Sequence, residues 1–238
     1  MQDIFVRSAA ILGDEGINNL QGKTVAVFGL GGVGAAAGEA LARGGIGHLL
    51  LIDHDTVQKS NINRQLIALH STLGNKKTEA AAMRYRDINP DIRLSLFPCF
   101  FDASTQQDIP LEKCDYIIDA IDCVPSKLLL AKLALRYNIP LLSCMGTANK
   151  TDPSQLRFSD IMDTAGCPLC RAVRQKCRKE GIPKLTVLFS PEPPCATPII
   201  DEVSGRHCPG SLSFVPPVAG MMLAGRVILE LTGYSSSK

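Results

Sequence analysis

Short apolar runs alternate with longer helical stretches over the first 145 residues. Thr24–Phe28 is a compact apolar run ending at glycine and reads as a buried strand. His48–Ile52 is a second such run, Ile92–Phe97 alternates, Tyr116–Ala120 is apolar between two aspartates, and Pro140–Cys144 closes the series. Between them, Val33–Arg43 is Ala-rich and reads as a helix that packs closely on a sheet. Leu73–Ile88 is a helix stopped by Asn89-Pro90, because the residue before proline disfavours helical backbone. Pro125–Tyr137 is a helix with proline in its first turn. Strands separated by helices of this length predict an α/β fold, a doubly wound and mainly parallel sheet with helices on both faces. Beyond Met145 the pattern loosens. Strands are expected at Leu156–Ser159 and Leu185–Phe189, and a last helix at Pro217–Leu231. The chain reads as one domain: a nucleotide-binding core over 1–145, a basic, Cys- and Pro-rich crossover segment over 146–212 as an irregular C-terminal extension, and a C-terminal helix within 213–234.

Composition adds limits. With 45% hydrophobic and 20% charged residues the 238-residue chain has enough apolar material for a core. A net charge of +2 leaves any nucleic-acid question to local clustering. The N-terminal stretch has no cationic segment followed by a long apolar run, and the nine cysteines are an odd number. Both lead us to expect reduced thiols and a cytoplasmic protein. The apolar stretch Phe214–Ala224 contains Pro216 and Pro217 and is too short to span a bilayer, so no membrane span is expected.

The candidate chemistry begins at Gly29, Gly31, Gly32 and Gly34, which follow a strand and open a helix. Glycines let the backbone approach a phosphate, and the helix N-terminus offers unpaired N–H groups. This Rossmann-like turn indicates a nucleotide without choosing between a dinucleotide and ATP. Asp53, at the end of the second strand, suits ribose hydroxyls in either case. The charges downstream favour ATP. Lys76 and Lys77 open the Leu73–Ile88 helix, where a cation opposes the helix dipole by about 0.3–1 kcal/mol unless an anion lies beside it. A triphosphate meeting a carboxylate substrate needs several fixed cations, since like charges ~4 Å apart repel by about 4 kcal/mol at an effective dielectric of ~20. Arg64 and Lys77 are the candidates near the turn, with Arg7 as a third. Asp122 follows the Tyr116–Ala120 strand, where it is placed to hold Mg²⁺. Asp119 reads as structural.

Taken in order, Gly29-x-Gly31-Gly32-x-Gly34, Asp53-x-Asp55, Ser60-Asn61-x-x-Arg64-Gln65, Lys77 and Asp119-x-x-Asp122 resemble the ubiquitin-activating-type adenylyltransferases. That resemblance implies an ATP- and Mg²⁺-dependent enzyme, usually a homodimer. It puts Gly32 by the nucleotide and Asp53 on the ribose. Asn61, Arg64 and Lys77 fall on phosphates, Asp122 on the metal, and Asp55, Ser60 and Gln65 in the surrounding motif. Arg7 is the candidate to reach into a partner protomer's site. Within the family the chain is most similar to the branch that dehydrates threonylcarbamoyladenosine beside the tRNA anticodon. The stretches "DAIDCVPSK", "CPLCRAVRQKCRKEGI" and "PGSLSFVPPVAGMMLAG" carry that likeness. It implies the tRNA anticodon stem-loop as partner. A sulfur-relay protein is kept as a candidate partner.

Six cations, Arg171, Arg174, Lys176, Arg178, Lys179 and Lys184, face only Glu180 in one short stretch, which suits a phosphate backbone. The cysteines are less informative. Many relatives carry asparagine where Cys123 stands, so no role is carried over to it. Cys167 and Cys170 form one C-x-x-C pair where zinc-binding relatives have two, and Cys195, His207 and Cys208 do not make a usual second pair, so no zinc is expected. No catalytic thiol is expected either. Two alternatives remain open: adenylation of the C-terminus of a ubiquitin-like sulfur carrier, and, from another class, NAD-dependent oxidoreduction.

Overall fold

The computed structural model describes residues 3–196, 200 and 209–234. Seven strands form one sheet: β1 (Thr24–Phe28), β2 (His48–Ile52), β3 (Arg93–Phe97), β4 (Tyr116–Asp119), β5 (Leu141–Cys144), β6 (Arg157–Asp160) and β7 (Thr186–Phe189). Their order is β3-β2-β1-β4-β5-β7-β6, parallel except for the edge strand β6. The helices are α1 (Val6–Gln21), α2 (Gly32–Gly44), α3 (Lys77–Ile88), α4 (Val124–Tyr137), α5 (Pro168–Lys179) and α6 (Val215–Thr232).

The continuous apolar runs are explained by burial on both faces. In β1, Val25 and Val27 pack into a cluster that includes Leu41 of α2 and Leu223 and Val227 of α6. Ala26 and Phe28 face the other way, into a cluster with Leu130 and Leu133 of α4. The chain leaves β1 outward to β2 and β3, then returns to β4 on the other side. The carboxyl ends of β1 and β4 therefore flank the switch point where open α/β sheets bind ligands. Two glycines close the turn there. Gly29 has φ +82°, and a Cβ on it would meet the Ala120 carbonyl oxygen at 2.7 Å. A Cβ on Gly34 would lie 1.7 Å from the Gly29 carbonyl oxygen, so only glycine lets α2 fold back onto the turn.

The structure adds two helices, α1 and α5, to the sequence reading and moves the start of α3. α1 goes unsignalled in the sequence because its periodicity is broken: Gly13 has φ +76° inside it, and Val6 and Ile11 are exposed. The 146–212 segment supplies β6 and β7 where strands are expected, and α5 between them, so the sheet continues past β5. α3 starts at Lys77 rather than Leu73, because residues 74–76 are drawn into a turn by Gly74 N–H on Val57 O and Val57 N–H on Asn75 O. α6 is long and apolar enough to cross a membrane. Its Val215, Ala219, Gly220, Leu223, Ala224 and Val227 are nevertheless buried. A Cβ on Gly220 would strike Val33 O at 2.2 Å, which shows how closely α6 crosses α2.

Candidate active site

The carboxyl ends of β1, β2, β4 and β5 open on a cleft of about 410 Å³, within the range of small-molecule sites. The first residues of α2 and α3 and the loop before α4 lie along it, and helix N-termini favour anions.

Asp53 is buried at the end of β2. Its Oδ2 accepts from Leu30 N–H at 2.6 Å and its Oδ1 from Asp55 N–H at 2.8 Å. The carboxylate thus ties the glycine turn to the β2 loop while keeping an edge on the cleft. Lys77, only 6% exposed, donates from Nζ to Asp55 Oδ2 at 2.7 Å. This contact answers the dipole conflict: an anion does lie beside the lysine at the α3 N-terminus, and it belongs to the protein. Burial would raise the Asp55 pKa, but the Lys77 hydrogen bond and charge outweigh it and hold the carboxyl below its usual range. The side chain of Asp55 is 49% exposed, so it keeps water as an alternative partner and can yield the lysine to a more highly charged anion.

Arg64 lines the same cleft. Its Nη1 donates to Ser60 O at 3.0 Å and Asn63 Oδ1 at 2.8 Å, which fixes one arm of the guanidinium and leaves its other donors to a ligand. Asn61 is buried, with Oδ1 accepting from Gln58 N–H at 3.0 Å. Gln65 is buried beside Gly31, and among the described residues its Oε1 has no hydrogen-bond partner. Such an orphan acceptor costs about 1–3 kcal/mol. Asp122 is exposed on the rim in the loop before α4.

Of the residues expected from the sequence, Gly29, Gly31, Gly32, Asp53, Asp55, Asn61, Arg64, Gln65, Lys77 and Asp122 meet in this cleft. Three do not. Gly34 is a packing glycine beneath the turn. Ser60 is exposed, and its contribution is the carbonyl that holds Arg64. Arg7 is exposed on α1 and does not line its own chain's cleft. His207 and Cys208 lie outside the described residues.

The structure also brings in residues that motif reading passed over. Phe100 and Phe101, beyond the end of β3, wall the cleft, as do Met145–Ala148 after β5 and Leu169 of α5. The rule that ligands lie past strand carboxyl ends points to the first two groups; nothing local in the sequence points to Leu169. Below the cleft, Lys127 is fully buried. Its Nζ bonds Asp119 Oδ2 at 3.0 Å and Cys144 O at 2.7 Å, and Ser143 Oγ donates to the same Asp119 oxygen. Asp119 Oδ1 accepts from Ile121 N–H at 3.0 Å, which sets the loop carrying Asp122.

Among the described residues two thiols line the cleft, Cys99 and Cys144, and both are shifted toward the protonated form. Burial pushes the Cys144 thiol up to about 12, and Cys99 is raised for the same reason. Cys167 differs. Its hydrogen bonds with Cys170 hold it well below the usual thiol range, and Cys170 is raised in return. Its sulfur also accepts the Cys170 backbone N–H at the start of α5, at 3.5 Å. A low folded pKa means that the thiolate is populated at lower pH. Alkylation of Cys167 by iodoacetamide should therefore titrate with a midpoint well under the ordinary value of about 8.5. Cys144 and Cys170 should stay unmodified at pH 8. Peptide mass spectrometry after timed labelling checks this, and equal labelling of all three would overturn it.

Known proteins resemble the whole chain, the cleft-forming part included. The chain is 42% identical to tRNA threonylcarbamoyladenosine dehydratase of Bacillus subtilis (strain 168), covering 95% of this chain and 94% of that protein. It is structurally similar to E. coli tRNA N6-threonylcarbamoyladenosine dehydratase, TcdA, crystallised with ATP. That match has a TM-score of 0.87 and 30% identity, and covers 96% of this chain and 93% of the other. E. coli MccB with ATP shares the fold, with a TM-score of 0.67 at 20% identity over 99% of this chain and 65% of that one. Matched from residue 5 to residue 238 by that family's model, the chain belongs to the ThiF family.

Proposed function

We propose that this chain is an ATP-dependent adenylating enzyme that dehydrates N6-threonylcarbamoyladenosine in tRNA. The observation that carries the reading is the meeting of Lys77 and Arg64 with the glycine turn in one cleft, each cation held by the protein at the place where a triphosphate would sit. The likeness to dehydratases over nearly the whole chain supports the choice of substrate. A dinucleotide's pyrophosphate is served by a helix N-terminus and a few amides, so the hydride-transfer reading leaves these cations without work.

In this reading Asp53 and Gln65 take the ribose and base side of ATP. The α2 N-terminus, Asn61, Arg64 and Lys77 take the phosphates. An oxygen of the threonyl carboxylate attacks the α-phosphorus while the bond to pyrophosphate breaks, giving an acyl-adenylate. A nucleophile within the same nucleoside then displaces AMP, and the nucleoside has lost one water. Lys77 and Arg64 lower the repulsion between carboxylate and phosphate and stabilise the charge that grows on the departing pyrophosphate.

Asp122 suits Mg²⁺, which binds through one or two carboxylates plus substrate phosphates. Asp53, His54 and Asp55 also place ligand atoms within 4.8 Å of one another. Their oxygens, however, are engaged by Leu30 and Asp55 N–H and by the Lys77 ammonium, so Asp122 fits better. When bound, the ion supplies charge neutralisation on the phosphates.

Arg7 acts in this proposal across a homodimer. The exposed Ile4, Val6 and Ile11 around it give a second copy an apolar surface to cover. The protein works in the cytoplasm, where its thiols stay reduced and tRNA is available. A sulfur-relay protein is its candidate protein partner and is not required for the chemistry above.

Nucleoside mass spectrometry tests the proposal. Incubating tRNA bearing threonylcarbamoyladenosine with the protein, ATP and Mg²⁺ should shift that nucleoside by the mass of one water, with AMP and pyrophosphate released in step. An unchanged nucleoside, with pyrophosphate exchange that instead needs a ubiquitin-like carrier, would transfer the reading to the sulfur-carrier class.

A further inference from the structure

The helix α5 has a chemistry that its own stability does not explain. Its Cys170, Val173 and Cys177 are buried together with Leu128 and Ala131 of α4. The opposite side carries Arg171, Arg178 and Lys179, all exposed, and no acid occurs between Pro168 and Lys179.

Cations in the last turn favour the helix dipole, which accounts for Lys176, Arg178 and Lys179 in part. Arg171 has no such excuse. It sits one turn from the N-terminus, where positive charge is unfavourable. Arg174 and Arg178, four apart, repel as neighbours on the helix surface. Arg174 is partly occupied, donating from Nη1 to Thr164 O at 2.7 Å and Thr164 Oγ1 at 2.8 Å. The acid that follows the helix, Glu180, is also taken: it pairs with Lys132 of α4 at 2.8 Å. Among the described residues the exposed cations Arg171, Arg178 and Lys179 have no acidic partner within salt-bridge distance, on a protein whose net charge is only +2.

Its direction matters as much as its charge. α5 precedes β7, which runs parallel to β5, and Leu169 in its first turn lines the cleft and faces Gly146. The helix thus starts at the cleft rim and leads away from it over about 18 Å, at 1.5 Å per residue for twelve residues. A polyanion lying along it is delivered to the site at one end.

We propose that the exposed face of α5, from Arg171 at the rim to Lys179, is the docking surface for the phosphate backbone of the RNA stem that presents the reacting nucleotide. The inference rests on the tRNA reading above and adds the surface and the direction of approach. No aromatic residue lies in α5 to stack bases, so the contact is electrostatic and reads backbone rather than sequence.

The test is the triple substitution Arg171→Ser, Arg178→Ser and Lys179→Ser, all at exposed positions. Affinity for substrate tRNA is measured by fluorescence anisotropy from low to moderate salt. Each phosphate contact contributes about 0.7–0.9 to the slope of log affinity against log salt. The variant should lose about two to three from that slope and bind at least tenfold more weakly at low salt. Its KM for tRNA should rise accordingly, while ATP affinity and thermal midpoint stay at wild-type values. A variant with wild-type slope and KM overturns the proposal. So does one that keeps tRNA binding but loses pyrophosphate exchange driven by an acidic carrier protein, since the face would then serve a protein. Failure of the function reading itself looks different: the unsubstituted protein would leave the nucleoside unchanged.

Discussion

Lys77→Ala should lower AMP-forming turnover by about 10²–10³-fold, the loss typical of removing one preorganised charge from a transition state, while leaving the protein folded. The two halves of that expectation have separate causes. Lys77 is buried against the cleft and its ammonium is fixed by Asp55, so no water-exposed cation replaces it during reaction. Its partner is different. The Asp55 side chain is 49% exposed and is solvated when the lysine goes, so no buried charge is stranded and the stability cost stays below the about 3–5 kcal/mol of a broken buried pair. Lys77→Arg should not rescue, because a planar fork does not occupy the space of a compact ammonium between Asp55 and the turn. Turnover is read as AMP release at saturating ATP and tRNA, and folding as the thermal midpoint. Full turnover in Lys77→Ala would remove the central cation from the mechanism.

Lys127→Met should do the opposite, costing stability first. Asp119 is 1% exposed, and Lys127 is its ion-pair partner. Removing one member of a buried pair leaves an uncompensated charge, at about 3–5 kcal/mol. For a chain of this size that lowers the thermal midpoint by roughly 6–20 °C. Activity should fall as well, because Asp119 holds Ile121 N–H and so the loop that carries Asp122. The double variant Asp119→Asn/Lys127→Met should recover much of the stability, since the stranded carboxylate is gone. A thermal midpoint unmoved in Lys127→Met would mean that the network is not load-sharing with the fold. Calorimetry of the three proteins decides it.

These two lysines were not equally visible in the chain. Lys77 stands at a helix N-terminus, where a cation is out of place, and that local conflict marks it. Lys127 sits inside "VPSKLLLAKLALRY" like any solvent-facing lysine on an amphipathic helix. Its burial arises only because β4 and β5 lie side by side, with Asp119 paired to Ser143 in register, beneath α4. Arg7 is legible only in part, for a related reason. A motif position implies reach into a site, but whose site depends on chain assembly, and within one chain α1 does not bring it to the cleft. The start of α3 at Lys77 is not legible in the sequence because Thr56 pairs with Lys76 across nineteen intervening positions.

The sequence by itself determined the parallel sheet, the glycine turn and the cations gathered at it, because these follow from short-range rules: strand patterning, the absence of a Cβ, and the cost of like charge. Only the tertiary structure decided that Asp55 answers Lys77, that Asp119 and Lys127 neutralise each other under the site, and that α5 runs from the cleft rim with its cations on the exposed side. Each of those depends on which distant segments become neighbours, and pair energies between charges are set by separation and burial, neither of which is written in chain order.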